Sequence, residues 1–336
     1  MRGAISLQLF PLTQPRNYSP AFLPMKNLLA LPLLALLPLA AFAAGEKIAV
    51  IPKGTTHSYW KSVEKGALQA GKELNVEIIW KGALKEDDRA SQIAIVQQFV
   101  SSGVSAIVLA PLDDTALRAP VKSAADRNIP VVIYDSALKG EPGKDFASFV
   151  ATNNRVGGEI AGTELARLLG GKGKVVLLRY LEGSASTTER EEGFLSVMKK
   201  NPGITVIVDN RFAGATISTA QDAAMNLIDK IREADGIFCP NESPTQGMIL
   251  ALRQTGLAGK KKFVGFDTSE FLLAALEKGD VQGLVAQNPV RMGYLGVVTA
   301  VKKVRGEKIE ANIDTGCVLV TKENRASAEV KAVLGN

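Results

Sequence analysis

Short, unbroken apolar runs punctuate the chain, each followed by a polar, turn-rich stretch. The first is Ile48-Ala49-Val50-Ile51, which stops at Pro52. Residues 76–80, 106–110, 129–134 and 146–151 repeat the theme. Continuous apolarity at this length fits strands buried on both faces, where alternation would mark a half-exposed one. Between these runs lie stretches of helical length at 62–74, 90–101 and 115–127. Gly103 stands where a helix C-terminus favours glycine. Strand alternating with helix predicts a parallel sheet covered on both faces.

After Thr152-Asn153-Asn154 the rhythm begins again. A helix is expected over 155–169, with Gly158 and Gly162 allowing close packing. Strands are expected at 174–178, 205–209, 236–239, 263–266 and 284–286. The helices between them fall at 189–199, with Arg190 in its first turn, then within 213–231, at 245–255 and at 271–278. A last long helix spans 292–305. The pattern predicts an α/β fold of two doubly wound parallel-sheet lobes with a cleft between them, a place where ligand pockets concentrate.

Composition narrows the partners. The 336 residues are 46% hydrophobic, enough for two full cores. The net charge is +6, and Arg2, Arg16 and Lys26 place half of it in residues 1–43. No concentrated basic patch remains, which argues against a nucleic-acid reader. Residues 1–43 read as an upstream extension and a signal peptide. Met25-Lys26-Asn27 supplies a positive start, 28–40 an apolar core, and Ala41-Phe42-Ala43 a cleavage site. Translation is expected to start at Met25, and the mature protein to begin after Ala43 in the periplasm. Cys239 and Cys317 lie far apart in apolar runs and read as free thiols rather than a bridge.

Polar residues gather just beyond the strand ends, where ligands bind in open α/β sheets. Lys53, His57, Tyr59 and Trp60 follow the first strand. Asp135, Asn241, Asp267 and Gln287 end later strands, and Arg190 opens a helix. Carboxylates accept from paired hydroxyls, guanidinium donates, amides do both, and flat rings cover the apolar face of a sugar. Each residue alone could equally be a helix cap or half of a salt bridge. The whole set is harder to explain that way.

From about Lys47 onward the chain resembles the periplasmic sugar-binding proteins of ABC transporters, in the ribose-binding or type I group. The resemblance is carried by Tyr59-Trp60, Ile133-Tyr134-Asp135, Asn154-Arg155-Val156-Gly157-Gly158 and Glu189-Arg190-Glu191-Glu192-Gly193-Phe194. Pro240-Asn241-Glu242, Val264-Gly265-Phe266-Asp267 and Ala286-Gln287-Asn288-Pro289 continue it. It implies a monomer whose lobes, 46–152 with 288–316 and 153–287 with 317–336, are joined by a three-stranded hinge. It also implies that Tyr59, Trp60, Asp135, Arg190, Asn241, Asp267 and Gln287 contact a monosaccharide or related polyol. An ABC permease is the implied partner, and a chemoreceptor is a further one. No cofactor, metal or catalytic residue is implied.

Departures bear on the ligand. The ribose proteins tend to have Asn where His57 stands, Arg where Ser136 stands, and a second-lobe aromatic near Gly214-Ala215-Thr216. Lys53 has a counterpart in arabinose-type relatives. Lys53 and His57 together leave an acidic sugar open. Truncating Arg190 or Asp267 is expected to cost affinity while sparing the fold, because both would face the cleft.

Two other classes are weaker. A sugar-responsive regulator of the LacI type shares the lobes but carries a helix-turn-helix where this chain has its export signal. A hydrolase could be drawn from Ser184, Ser186 and Asp267, but nothing sets a base beside a serine.

Overall fold

The apolar runs of the first half pair side by side. In the computed structural model, which describes residues 45–334 together with Pro15 and Asn17, β1 (Lys47–Ile51) pairs in parallel with β2 (Glu77–Trp80) and β3 (Ala106–Leu109). β4 (Val131–Tyr134) and β5 (Ser148–Ala151) extend the sheet in the same direction. The crossovers carry α1 (Ser58–Leu74), α2 (Arg89–Ser102) and α3 (Arg118–Ala125). Ile48, Val50 and Val108 face one apolar cluster and Ala49, Ile51 and Ile107 another, so both faces of the sheet are buried. The segment 1–43, with its expected cleavage after Ala43, lies outside the described residues apart from Pro15 and Asn17.

The chain then leaves this sheet. Asn153 accepts from the Val156 amide at 3.2 Å and so caps α4 (Asn154–Leu168). Ala161 and Leu165 of that helix pack on the second sheet, against Val175, Leu177 and Phe238. This sheet begins with β6 (Lys172–Arg179), α5 (Ala185–Lys199), β7 (Gly203–Phe212), α6 (Ile217–Asn226) and α7 (Ile228–Glu233). β8 (Gly236–Phe238), α8 (Glu242–Gln254), β9 (Lys262–Phe266), α9 (Glu270–Lys278) and β10 (Gly283–Gln287) follow.

Asn288 caps α10 (Pro289–Val304), which takes the chain back: Met292 and Val297 pack with Ile48 and Val50 of the first sheet. β11 (Asn312–Asp314) joins that sheet beside β5, and β12 (Cys317–Val320) joins the other beside β10. α11 (Ala328–Leu334) buries Val330 there. The strand orders, β11-β5-β4-β3-β1-β2 and β12-β10-β9-β8-β6-β7, place β4 and β9 in equivalent positions.

The second sheet is not wholly parallel, as the sequence had suggested, because β12 runs antiparallel to β10. β11 points toward the cleft like its neighbours. With only Thr315 and Gly316 between, the chain runs straight on into the other lobe and therefore away from the cleft. Several helices also start earlier than expected, α1 and α5 by four residues each. α5 begins at Ala185, which moves Arg190 to its second turn, and α1 begins at Ser58. Both cysteines are free, Cys239 buried and Cys317 half-buried.

Candidate functional site

All strands but β12 point their carboxyl ends at the junction of the two sheets. The residues beyond those ends therefore converge from both sides. They enclose a small, polar cavity between the two sheets. Lys53, His57, Tyr59, Trp60, Asp135, Arg190, Asn241, Asp267 and Gln287 all line it. Glu86, Tyr180, Ser186, Thr187 and Glu242 complete the wall.

Asp135 follows β4 and Asp267 follows β9, so the two carboxylates hold equivalent places in the two lobes. Each adopts the left-handed backbone region, with φ of 63° and 70°. That region costs a non-glycine residue about 1–2 kcal/mol, though aspartate tolerates it better than most. It turns the chain sharply at the strand end and leaves the carboxylate at the cavity. Asp135 accepts from the Tyr59 hydroxyl at 2.8 Å, and its other oxygen lies 3.4 Å from the Lys53 ammonium. Asp267 accepts from Gln287 Nε2 at 2.7 Å and from the Glu242 amide at 2.8 Å. Burial pushes the Asp267 carboxyl up to about 6, although Arg190 and the Gln287 bond act the other way.

Lys53 is 3% exposed and also donates to Ser186 at 3.0 Å and Ser184 at 3.3 Å. An ammonium so buried needs these partners. Arg190 is 2% exposed. It donates to Asn154 Oδ1 at 2.8 Å and the Pro240 carbonyl at 2.9 Å, and lies 4.0 Å over the Phe266 ring. Its position depends on glycine: a Cβ at Gly158 of α4 would overlap the Arg190 carbonyl, and one at Gly193 of α5 the Arg155 carbonyl, so the close approach of the two helices requires both. These ties correct the expectation that Arg190 could be truncated without harm to the fold. Arg190 and Asp267 form no ion pair with each other among the described residues.

Trp60 serves the core and the cavity wall at once. Its ring is buried in the first-lobe core beside Tyr134, while Nε1 donates to Glu86 at 2.8 Å on the cavity wall. Tyr59 stands edge-on to it, with centroids 5.0 Å apart. Asn241 occupies the N-cap position of α8 but makes no capping bond. Its Oδ1 is buried without a partner among the described residues. A buried acceptor left empty costs about 1–3 kcal/mol, and this one belongs to a residue of the cavity wall.

Several contacts cross the cavity mouth between lobes. Glu242 of α8 accepts from the Ser58 and Tyr59 amides at the start of α1, at 3.3 and 3.0 Å. Tyr180, beyond β6, donates to Glu86 at 2.9 Å. The Ser186 amide donates to Ser136 at 3.1 Å, and the Asp114 amide to the Gly183 carbonyl at 3.0 Å. Tyr180 supplies a second-lobe ring to the cavity, whereas Ala215, in the stretch where ribose proteins carry an aromatic, is simply buried. Sequence reasoning did not assign Glu86, Tyr180 or Glu242 to the site. Ser184 and Ser186 meet a lysine, and the only hydrogen bond of His57 among the described residues is to Glu86.

This architecture has close relatives. A carbohydrate transporter solute-binding protein from Agrobacterium radiobacter, solved with D-arabinose, is 37% identical and superposes with a TM-score of 0.82 over 87% of this chain and 99% of that one. An ABC transporter solute-binding protein from Agrobacterium vitis, solved with D-fucose, is 35% identical with a TM-score of 0.82, covering 85% and 99% of the two chains. The ribose import binding protein of Haemophilus influenzae is 29% identical over 86% of this chain and 97% of its own length. Residues 48–308 match the periplasmic binding protein domain, and the chain belongs to that family.

Proposed function

We propose that this chain is the extracytoplasmic solute-binding protein of an ABC importer, and that it captures a neutral monosaccharide or polyol between its lobes. The observation that carries the reading is the empty acceptor of Asn241 in a closed cavity whose other polar atoms are mostly engaged. A hydroxylated ligand supplies the missing donor. Relatives solved with D-arabinose and D-fucose support a monosaccharide. The nine residues expected from the sequence are the proposed contacts, and the lobes act as monomeric jaws. Export is accompanied by cleavage after Ala43, delivery to a permease follows capture, and a chemoreceptor is a second candidate partner. No chemical step is proposed: a family of transport proteins and a histidine tied to a glutamate both point to binding alone.

Ion pairing favours a neutral ligand over the acidic one left open by Lys53 and His57. Lys53 already faces Asp135, and His57 already faces Glu86. An entering carboxylate would also meet Asp267 and Glu242. A thermal-shift panel of pentoses, hexoses, polyols and sugar acids tests this, since binding stabilises the native state by mass action. Neutral sugars should raise the melting temperature and be recovered unchanged. Stabilisation by sugar acids alone, or by nothing in the panel, would overturn the reading.

A further inference from the structure

The Glu86 carboxylate is largely engaged by protein donors, with about three of its four acceptor positions taken. One oxygen accepts from His57 Nδ1 at 2.6 Å and Trp60 Nε1 at 2.8 Å, and the other from the Tyr180 hydroxyl at 2.9 Å. The bonds of Glu86 to those three side chains set the orientation of each. His57 is the one with an open valence. Its ring lines the cavity, and its second nitrogen has no hydrogen-bond partner among the described residues. In a neutral imidazole that nitrogen would accept, and in an imidazolium it donates.

The groups around the ring decide between these. Glu86 comes from the loop after β2, Glu242 from α8 and Asp267 from the end of β9. Lys53, beyond β1, opposes them and is itself paired with Asp135, while Tyr180 is neutral. We propose that Glu86 is a positioning residue that fixes His57 as an imidazolium, so that its second N–H is a permanent donor to an acceptor oxygen of the ligand. Tyr180 completes the Glu86 shell when the lobes meet. The proposal rests on the sugar-binding reading and adds a specificity rule to it. The ligand must turn a ring oxygen or a hydroxyl lone pair toward His57, and an amino sugar with its ammonium there meets like charge.

The direction of titration agrees. Burial alone would lower the His57 pKa, but the charge and hydrogen bond of Glu86, with Glu242 and Asp267 behind it, raise it to about 9. Burial alone would raise the Glu86 pKa, but His57, Lys53 and the Trp60 bond bring it to about 2.

The chain has one histidine, so its ring nitrogen resonances need no assignment. Long-range nitrogen–proton NMR of the full protein, titrated from pH 5 to 10, should show both nitrogens protonated at pH 7.5. In Glu86→Gln, which keeps the shape and loses the charge, the midpoint should fall by about one to three pH units, the usual effect of an opposite charge at this range. Binding of D-arabinose, D-fucose or D-ribose should be flat from pH 7 to 8, above the Asp267 titration near 6, in the wild type and weaken with rising pH in the variant. A neutral His57 at pH 7.5 in the wild type, or the same midpoint in Glu86→Gln, would overturn the proposal. A purely structural Glu86 would lower affinity equally at every pH, which also overturns it. If no neutral sugar or polyol of the thermal-shift panel binds, the sugar reading falls, while the wild-type titration still decides the state of His57.

Discussion

Replacing Asn241 by Leu removes the side chain most directly waiting for a ligand while keeping its volume. The amide Oδ1 is buried without a partner, and the side chain, 8% exposed at the head of α8, does not cap that helix. Removing it therefore breaks no hydrogen bond to Oδ1 within the protein. In the closed form it relieves an acceptor whose isolation costs about 1–3 kcal/mol. In the ligand complex the same change deletes a hydrogen bond and leaves a sugar hydroxyl buried without a partner, again about 1–3 kcal/mol. The two effects have opposite signs. Asn241→Leu should weaken sugar binding about 10- to 100-fold, at about 1.4 kcal/mol per tenfold. The melting temperature without sugar should stay within about 3 °C of the wild type or rise, given about 2–4 °C per kcal/mol for a protein near this size. Isothermal titration calorimetry with the best neutral sugar and calorimetric melting read the two quantities on one preparation. A lower melting temperature with affinity retained would show Asn241 to be a structural residue and refute the reasoning.

Other perturbations separate roles in the same way. Arg190→Ala should lose affinity and also stability, about 2–4 kcal/mol of the latter, because two hydrogen bonds and the packing on Phe266 go together; unchanged melting would contradict the packing described. The folded protein holds the His57 proton to about 9, whereas the unfolded chain releases it near the ordinary 6.5. That stabilisation is whole below pH 6.5 and fades as pH rises through 9, by up to about 3 kcal/mol, so His57→Gln should flatten the fall in melting temperature over this window. Small-angle scattering should show a more compact particle with the bound sugar than without it, because contacts such as Glu242 to the α1 amides form only when the lobes meet; identical curves would argue for one rigid body. Mass spectrometry of the exported protein should find Ala44 first, and a retained 25–43 segment would contradict cleavage after Ala43.

Much of this molecule could be read before its structure was known. Buried parallel strands announce themselves as continuous apolar runs, and the residue after each run is where a ligand would be met. That is why Lys53, Asp135, Asn241, Asp267 and Gln287 were legible. Glu86 was not, because it sits in a loop with Asp87 and Asp88, both exposed, and nothing local distinguishes the one acid that turns inward. Only the distant ring of Tyr180 and the His57 and Trp60 side chains single it out. Glu242 was visible as part of Pro240-Asn241-Glu242, but its acceptors' donors, the Ser58 and Tyr59 amides, belong to the other lobe. Arg190 was placed a turn too early because Ser184 to Thr188 reads as polar loop, whereas the structure starts α5 at Ala185. Pairings across the two lobes depend on three-dimensional closure, and periodicity along one strand or helix carries no trace of them.

The central claim is that the polar cavity between the two sheets holds a neutral sugar. A crystal structure of the protein with the neutral sugar that stabilises it most tests this directly. The sugar should lie among Asp135, Arg190 and Asp267, with one hydroxyl donating to Asn241 Oδ1 at about 2.7–2.8 Å, the usual O–H···O length. A sugar found elsewhere on the molecule, or a cavity ligand that leaves Asn241 Oδ1 empty, would contradict it.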